Sequence, residues 1–200
     1  MDVAYSEEQA FLREAVRGAV DREAPLARVR EWVLEGGTVR TAALAEQQGW
    51  CGIGIDEDAG GQGGGLMELA ILAEELGRGA VPADNLYATL LAARLLAASG
   101  EDVSELVAGG PAACVLMEAD RPGAPGGDLV LGAPGATHFV SADAVVHTDA
   151  EVSEVRIVDP TRSLGRVSGC KRGSRDEFCT GLAADAAVMI AADALGASQR

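Results

Sequence analysis

The feature that most constrains this chain is a change of hydrophobic period at Gly109-Gly110-Pro111. Before it, apolar residues recur at helical spacing. After it they come in short, β-branched runs punctuated by Gly, Pro and Asp: AACVLME, DLVLG, THFVSA, AVVHT and EVRIVD. A period near 3.6 reads as amphipathic helix, and short branched runs between turn residues read as strands. The last stretch, GLAADAAVMIAADALGASQR, is helical again. Helices, then strands over residues 112–168, then a helix predict an α+β chain with segregated parts rather than an alternating α/β one. The expected units are a helical N-terminal domain over 1–110, a small β-sheet or barrel domain over 111–170, and a terminal helical segment over 171–200.

Within the first unit, Ser6-Glu7-Glu8-Gln9 has the pattern of a capping box. Behind it Phe11, Leu12, Ala15, Val16, Ala19 and Val20 repeat at helical spacing, and the helix should stop before Pro25. Further helices are predicted over about 39–48, 66–76, 83–98 and 103–107, with Gly49, Gly77 and Gly100 closing the first three. Phe11, Leu12, Val16, Leu69, Leu72 and Leu76 are the expected helical core. The terminal helix carries Leu182, Ala186, Val188, Met189, Ile190 and Leu195 almost all round. Such a helix demands burial on several sides, in its own chain or against another.

Charge and composition exclude some partners. A net charge of −15 repels nucleic acid and anionic membranes. Hydrophobic residues make up 48% of the chain but aromatics only 4%, so the core must be built from Ala, Val and Leu. No apolar run of about 20 residues is evident, so no membrane span is expected. Cys51, Cys114, Cys170 and Cys179 lack CxxC or metal-finger spacing, and no signal peptide is apparent. They are expected to be reduced thiols in a cytoplasmic protein. His138 and His147 stand apart from any ligand cluster, so no metal site is expected.

Residues 54–65 are the chemically suggestive stretch, with three acids followed by clustered glycines. A phosphate-binding Walker loop needs Lys and Ser/Thr after its last glycine, but Gly65 is followed by Leu66 and Met67. A dinucleotide fingerprint fails because Leu66 takes the place of the third glycine and no strand–helix–strand unit surrounds it. Asp56, Glu57 and Asp58 lack the alternate spacing of a calcium loop. The expectation is an interhelical loop in which Gly60, Gly61 and Gly63 serve backbone geometry, at least one of them with positive φ.

GWCGIGIDEDAGGQGGGLMELAILAEELGRG resembles the acyl-CoA dehydrogenases. In that family a helix ends in Gly-Trp, an apolar segment follows, and a Gly-Gly-x-Gly loop leads into a helix ending Glu-Glu-Leu-Gly-Arg. The matching residues are Gly49, Trp50, Glu57, Gly60, Gly61, Gly63 and Glu74 to Arg78, with Asp56 in place of the family's proline. YSEEQAFLREAVRGAV resembles the first helix, VDPTRSLGRV a late strand pair, and AADALGASQR the opening helix of the C-terminal bundle. The resemblance spans nearly the whole chain. It implies that 171–200 is the first, incomplete part of such a bundle.

The resemblance also implies a chemistry: α,β-dehydrogenation of an acyl-CoA thioester, with a glutamate removing the α proton and FAD accepting hydride from Cβ. Two flavin-contacting motifs can be placed. Thr-Glu-Pro falls on Met117, Glu118 and Ala119, with no serine among Gly123 to Gly127. Trp-Ile-Thr falls on Phe139, Val140 and Ser141. Met117, Glu118, Phe139 and Ser141 are therefore the candidate cofactor-binding residues. As structural residues, Met117 and Phe139 would simply pack. The family's early base position falls on Ala186, which cannot move a proton. Asp185 beside it points about 100° away on a helix. The late base position lies beyond Arg200. Two readings follow. The chain is an acyl-CoA dehydrogenase portion or subunit that needs a further region or partner chain, or a degenerate member acting as a binding or assembly subunit. A helical protein-binding module unrelated to flavins is a third. Acyl-CoA thioester and either a second copy or a related subunit are the expected partners.

Overall fold

Each element forms where local chemistry permits. The computed structural model describes residues 5–35, 37–116, 129–171 and 177–199. Helix α1 (Glu7–Glu23) opens on a complete capping box: the Ser6 hydroxyl accepts from the Gln9 amide, and the Ser6 amide donates to Gln9 Oε1, both at 3.1 Å. It ends at Ala24, before Pro25. Helix α2 (Leu26–Glu35) starts on the far side of that proline, where a missing N–H costs nothing. The sequence reading did not foresee α2, although Val29 and Trp32 bury one face of it. Helix α3 (Gly37–Gln48) ends at Gly49, whose φ is +71°. Helices α4 (Leu66–Arg78), α5 (Asp84–Ala98) and α6 (Ser104–Val107) follow.

The helical core gathers Val16, Leu69, Leu72 and Leu76 as expected, with Leu12 packed against it. Phe11 is a correction, being 74% exposed. It lies about 140° round the helix from Val16. The inner face of α1 is set instead by Val16, Ala19 and Val20, beside Arg13 and Arg17, which reach across to α4.

The Glu-Glu-Leu-Gly-Arg segment explains how α1, α4 and the terminal helix lock together. The Glu75 carboxylate is fully buried. It accepts hydrogen bonds from Arg13 Nε at 3.0 Å, Arg17 Nη2 at 2.7 Å and Arg78 Nε at 2.8 Å. Arg13 also holds Glu74, and Arg78 also holds Asp21 of α1. Leu76 is core, and Gly77 corrects an expectation: it lies within α4 instead of closing it, and it faces the terminal helix, α7 (Glu177–Ser198). A Cβ at Gly77 would collide with the Asp193 carbonyl oxygen, and one at Gly196 with the Glu74 carbonyl oxygen. Two glycines thus allow the backbones of α4 and α7 to touch.

Among the described residues, the β segments form two three-stranded sheets. In one, β1 (Ala113–Leu116) runs parallel to β3 (His138–Ser141), pairing Ala113 with His138 and Leu116 with Ser141, and β4 (Val146–His147) closes a hairpin on β3. In the other, β6 (Leu164–Ser168) lies antiparallel between β2 (Leu129–Leu131) and β5 (Glu151–Val155). The strand expected at 154–159 is thus shifted to 151–155. Asp159 instead builds a turn, accepting from the Thr161 amide at 2.9 Å and the Thr161 hydroxyl at 2.7 Å. The architecture is mixed α+β, as the period change implied.

Helix α7 corrects the expectation that no segment is apolar and long enough to cross a membrane. Gly181–Ser198 qualifies by length and composition. Its inner face is nonetheless committed to this fold. Leu182 and Met189 are buried, and its Asp185 and Asp193 are ion-paired with arginines of other elements. Val188 and Leu195 remain exposed on the outer face. The demand for burial is met on one side, chiefly by α4.

Candidate functional site

An apolar cavity of about 170 Å³ lies between α5, strands β1 and β2, and α7. Its walls include Tyr87, Ala88 and Leu91 from α5, Val115 and Leu129–Leu131 from the strands, and Leu182, Ala186, Met189 and Ile190 from α7. The helical spacing of 182, 186, 189 and 190 puts these four residues on one face. Asp84 also lines the cavity, and a polar network stands behind it.

That network joins three elements. Tyr87 donates from its hydroxyl to Asp193 Oδ1 at 2.9 Å. Arg162, in the turn before β6, is hydrogen-bonded to Asp193 Oδ2 and lies 3.3 Å from Asp84 Oδ1. The Ser163 amide donates to Asp84 Oδ2 at 2.6 Å. Burial pushes the Asp84 and Asp193 carboxyls above their ordinary value, and Arg162 opposes this only in part. Burial and the neighbouring Asp193 push the Tyr87 phenol well above its own. One guanidinium serves two buried carboxylates, so the network is short of positive charge.

Ala186 and Asp185 diverge as helical geometry requires. Ala186 lines the cavity. Asp185 turns to Arg94 of α5, whose Nη2 donates to it at 3.0 Å, while Arg94 Nη1 donates to the Gly54 carbonyl at 2.6 Å. The carboxylate nearest the early base position is therefore held in an ion pair.

The glycine loop is tied to this region by Arg94, and its Ile55 belongs to the same buried cluster as Leu182. Its amides are engaged within the loop: Gly60 donates to Glu57, Gly61 to Asp56 and Gly63 to Ile55. Gly60 and Gly63 have φ of +83° and +71°. A Cβ at Gly61 would collide with the Ile55 carbonyl. The three glycines serve backbone geometry, and their N–H groups are not aimed at a phosphate.

Of the candidate cofactor residues, Met117 and Glu118 lie outside the described residues. Phe139 is 2% exposed and packs with Cys114, Leu116, Val130 and Val167 in the β core. The Ser141 hydroxyl, also buried, donates to Asp143 Oδ1 and lies 3.1 Å from the Val145 carbonyl. Neither offers a flavin a free stacking plane or a free hydroxyl, so these two residues do not fit the contact that the resemblance implies for them. Among the described residues, no group of three or more His, Cys, Asp or Glu side chains could hold a metal ion. Sequence reading missed Arg94, Arg162 and Asp193. Their partners lie 91, 78 and 106 residues away, and no local pattern marks such pairs.

Comparison with known proteins places this geometry. Residues 6–104 match the acyl-CoA dehydrogenase N-terminal domain. The chain is 32% identical over 202 residues to acyl-CoA dehydrogenase IpdE2 of Mycobacterium tuberculosis, covering 97% of this chain and 61% of that protein. Its counterpart in Mycolicibacterium smegmatis is 31% identical, with 98% and 62% covered. The chain thus spans about three fifths of the length of the curated relatives it matches. Among solved structures, a variant of the Tcur3481-Tcur3483 steroid ACAD superposes with a TM-score of 0.76 at 23% identity, over 95% of this chain and 63% of that one. The ChsE4-ChsE5 complex of Mycobacterium tuberculosis superposes at 0.73 with 18% identity, over 98% and 65%. Glutaryl-CoA dehydrogenase of Mycobacterium smegmatis superposes at 0.75 with 16% identity, over 96% and 63%. The solved structures agree in fold, and the sequence relatives carry the same family name as the matched domain. With its Glu-Glu-Leu-Gly-Arg helix clamped between α1 and α7, the chain belongs to the acyl-CoA dehydrogenase family.

Proposed function

We propose that this chain is the helical and β portion, or a subunit, of an enzyme for α,β-dehydrogenation of acyl-CoA thioesters, and that the cavity between α5 and α7 receives the acyl group. The observation that carries this reading is the lining of that cavity. It is apolar, and Ala186, at the early base position, faces into it while Asp185 is held away by Arg94. An apolar site suits an acyl tail. Among the described residues that line it, Asp84 is the one carboxylate, and it is held by Arg162 and the Ser163 amide. The base therefore comes from a C-terminal region or from a related partner subunit. Domain boundaries near residues 110 and 170 belong to the same reading. The family cofactor, FAD, would be held by groups other than Phe139 and Ser141.

A second reading, a non-catalytic binding or assembly subunit, is favoured by those same two residues. The Phe139 ring is core, and the Ser141 hydroxyl closes the β3–β4 hairpin. Two measurements separate the readings. One is the visible absorption spectrum of the purified chain. The other is reduction of an artificial electron acceptor with saturated acyl-CoA, with and without a bundle-bearing partner. General-base catalysis is worth ~10²–10⁴-fold. The chain alone should be inactive, and the partner should restore both flavin absorbance and turnover. Activity of the chain alone would refute the missing base. Inactivity with every bundle-bearing partner would support the second reading.

A further inference from the structure

We infer, resting on the acyl-site reading above, that the size of acyl group this cavity accepts is set from outside its lining, by two pins that fix where α7 stands. Arg94, Asp185, Gly77 and Gly196 are positioning residues in this sense. None of them lines the apolar cavity.

The first pin is Arg94. It ties Asp185 of α7 to α5 and to the Gly54 carbonyl, so the glycine-rich loop, α5 and α7 meet on one guanidinium. The second is the close crossing of α4 and α7. Gly77 lies against the Asp193 carbonyl and Gly196 against the Glu74 carbonyl. Gln199 adds a hydrogen bond of 3.0 Å to Glu74. Asp185 and Gly196 are separated by about 16 Å of helix at 1.5 Å per residue. Ala186, Met189 and Ile190 lie between them. A stiff helix held at both ends leaves its middle no independent freedom, so the pins determine how far these side chains stand from α5 and β2.

The present spacing leaves about 170 Å³. An apolar cavity of about 150 Å³ holds one benzene ring. The site therefore suits a single ring or a tail of about six carbons, and longer chains must protrude. If a pin is loosened, α7 can yield toward its exposed outer face, where Val188 and Leu195 lie, and away from the opposite wall. The stretch from Leu182 to Ile190 is about 12 Å long and a helix is about 10 Å wide, so a step of about 1 Å adds on the order of 100 Å³. That admits several methylenes, each worth about fourfold in affinity.

The test is calorimetric titration of the full chain with hexanoyl-CoA and decanoyl-CoA. The wild type should prefer hexanoyl-CoA. Gly77→Ala and Gly196→Ala should raise the decanoyl-to-hexanoyl affinity ratio at least about tenfold, and Asp185→Asn should raise it in the same direction. Asp185→Asn keeps side-chain size at a partly exposed ion pair, so it decides the matter should the glycine variants fail to fold. Gly181→Ala, on α7 with open space around it, is the control and should leave the ratio unchanged. A purely structural role would lower stability without moving the ratio. Acyl-CoA binding with ratios equal to wild type in every folded variant would overturn the inference and leave the acyl site standing. No binding of either thioester by the wild type would overturn the site reading as well.

Discussion

Replacing Glu75 with glutamine tests the charge cluster that fastens α1 to α4. In the native chain the carboxylate is fully buried and is served by Arg13, Arg17 and Arg78 at 2.7–3.0 Å. Burial alone would raise its pKa, but the hydrogen bonds from Arg17, Arg78 and Arg13 outweigh it and hold the group at about 2, against an ordinary 4.5. A depressed carboxyl stabilises the fold above its unfolded pKa and loses that contribution as pH falls through its folded one. The shift alone corresponds to about 3 kcal/mol at 1.36 kcal/mol per unit. The arginines are partly exposed, and solvent screening brings this to about 2 kcal/mol. Glutamine keeps the volume but sets its amide donors against guanidinium donors, which adds the cost of an unmatched buried polar group, about 1 kcal/mol. Glu75→Gln should therefore lose about 3 kcal/mol at pH 7 in urea denaturation. The difference between wild type and variant should shrink between pH 4.5 and pH 2, where the wild-type carboxylate becomes protonated. A loss below 0.5 kcal/mol, or a difference that stays constant over that interval, would show that the cluster is not what holds α1.

Other substitutions probe single contacts. Gly61→Ala should cost about 2 kcal/mol or more, because its Cβ meets the Ile55 carbonyl, whereas Gly60→Ala, with open space and φ +83°, should cost only about 1 kcal/mol of backbone strain; equal urea midpoints would refute the distinction. Ala80, after α4, has φ +54°, so Ala80→Gly should raise the urea midpoint by the equivalent of about 0.5–1 kcal/mol at unchanged slope. Tyr87→Phe removes the donor to Asp193 and should cost about 1–3 kcal/mol, read as a lower thermal midpoint; no change would mean that Asp193 is satisfied by Arg162 alone.

Much of the architecture was legible because it rests on local rules. Hydrophobic period, a capping box and the closing glycines Gly49 and Gly100 are properties of a few neighbouring residues, and they located α1, α3, α5 and the strand run, while period alone located α4, which runs on through Gly77. Helix α2 is not marked in the sequence, because Pro25 ends one helix and proline is equally suited to start the next. The glycine loop was also legible: left-handed turns favour glycine, and Gly60 and Gly63 take positive φ there. What the sequence by itself could not decide is which apolar face turns inward, and which charges meet. Phe11 and Val16 are equally apolar in the pattern, and only the packing of α1 on α4 leaves one outside and buries the other. Ser141 and Phe139 match a motif by position, but the sheet turns the ring into the β core and engages the hydroxyl within its hairpin. Arg94 with Asp185, and Arg162 with Asp84 and Asp193, are far apart in the chain, so their pairing exists only once α7 and the turn before β6 lie against α5. A cavity is a relation between elements rather than a property of any one, and tertiary structure alone brings Ala186, Met189 and Leu91 around the same space.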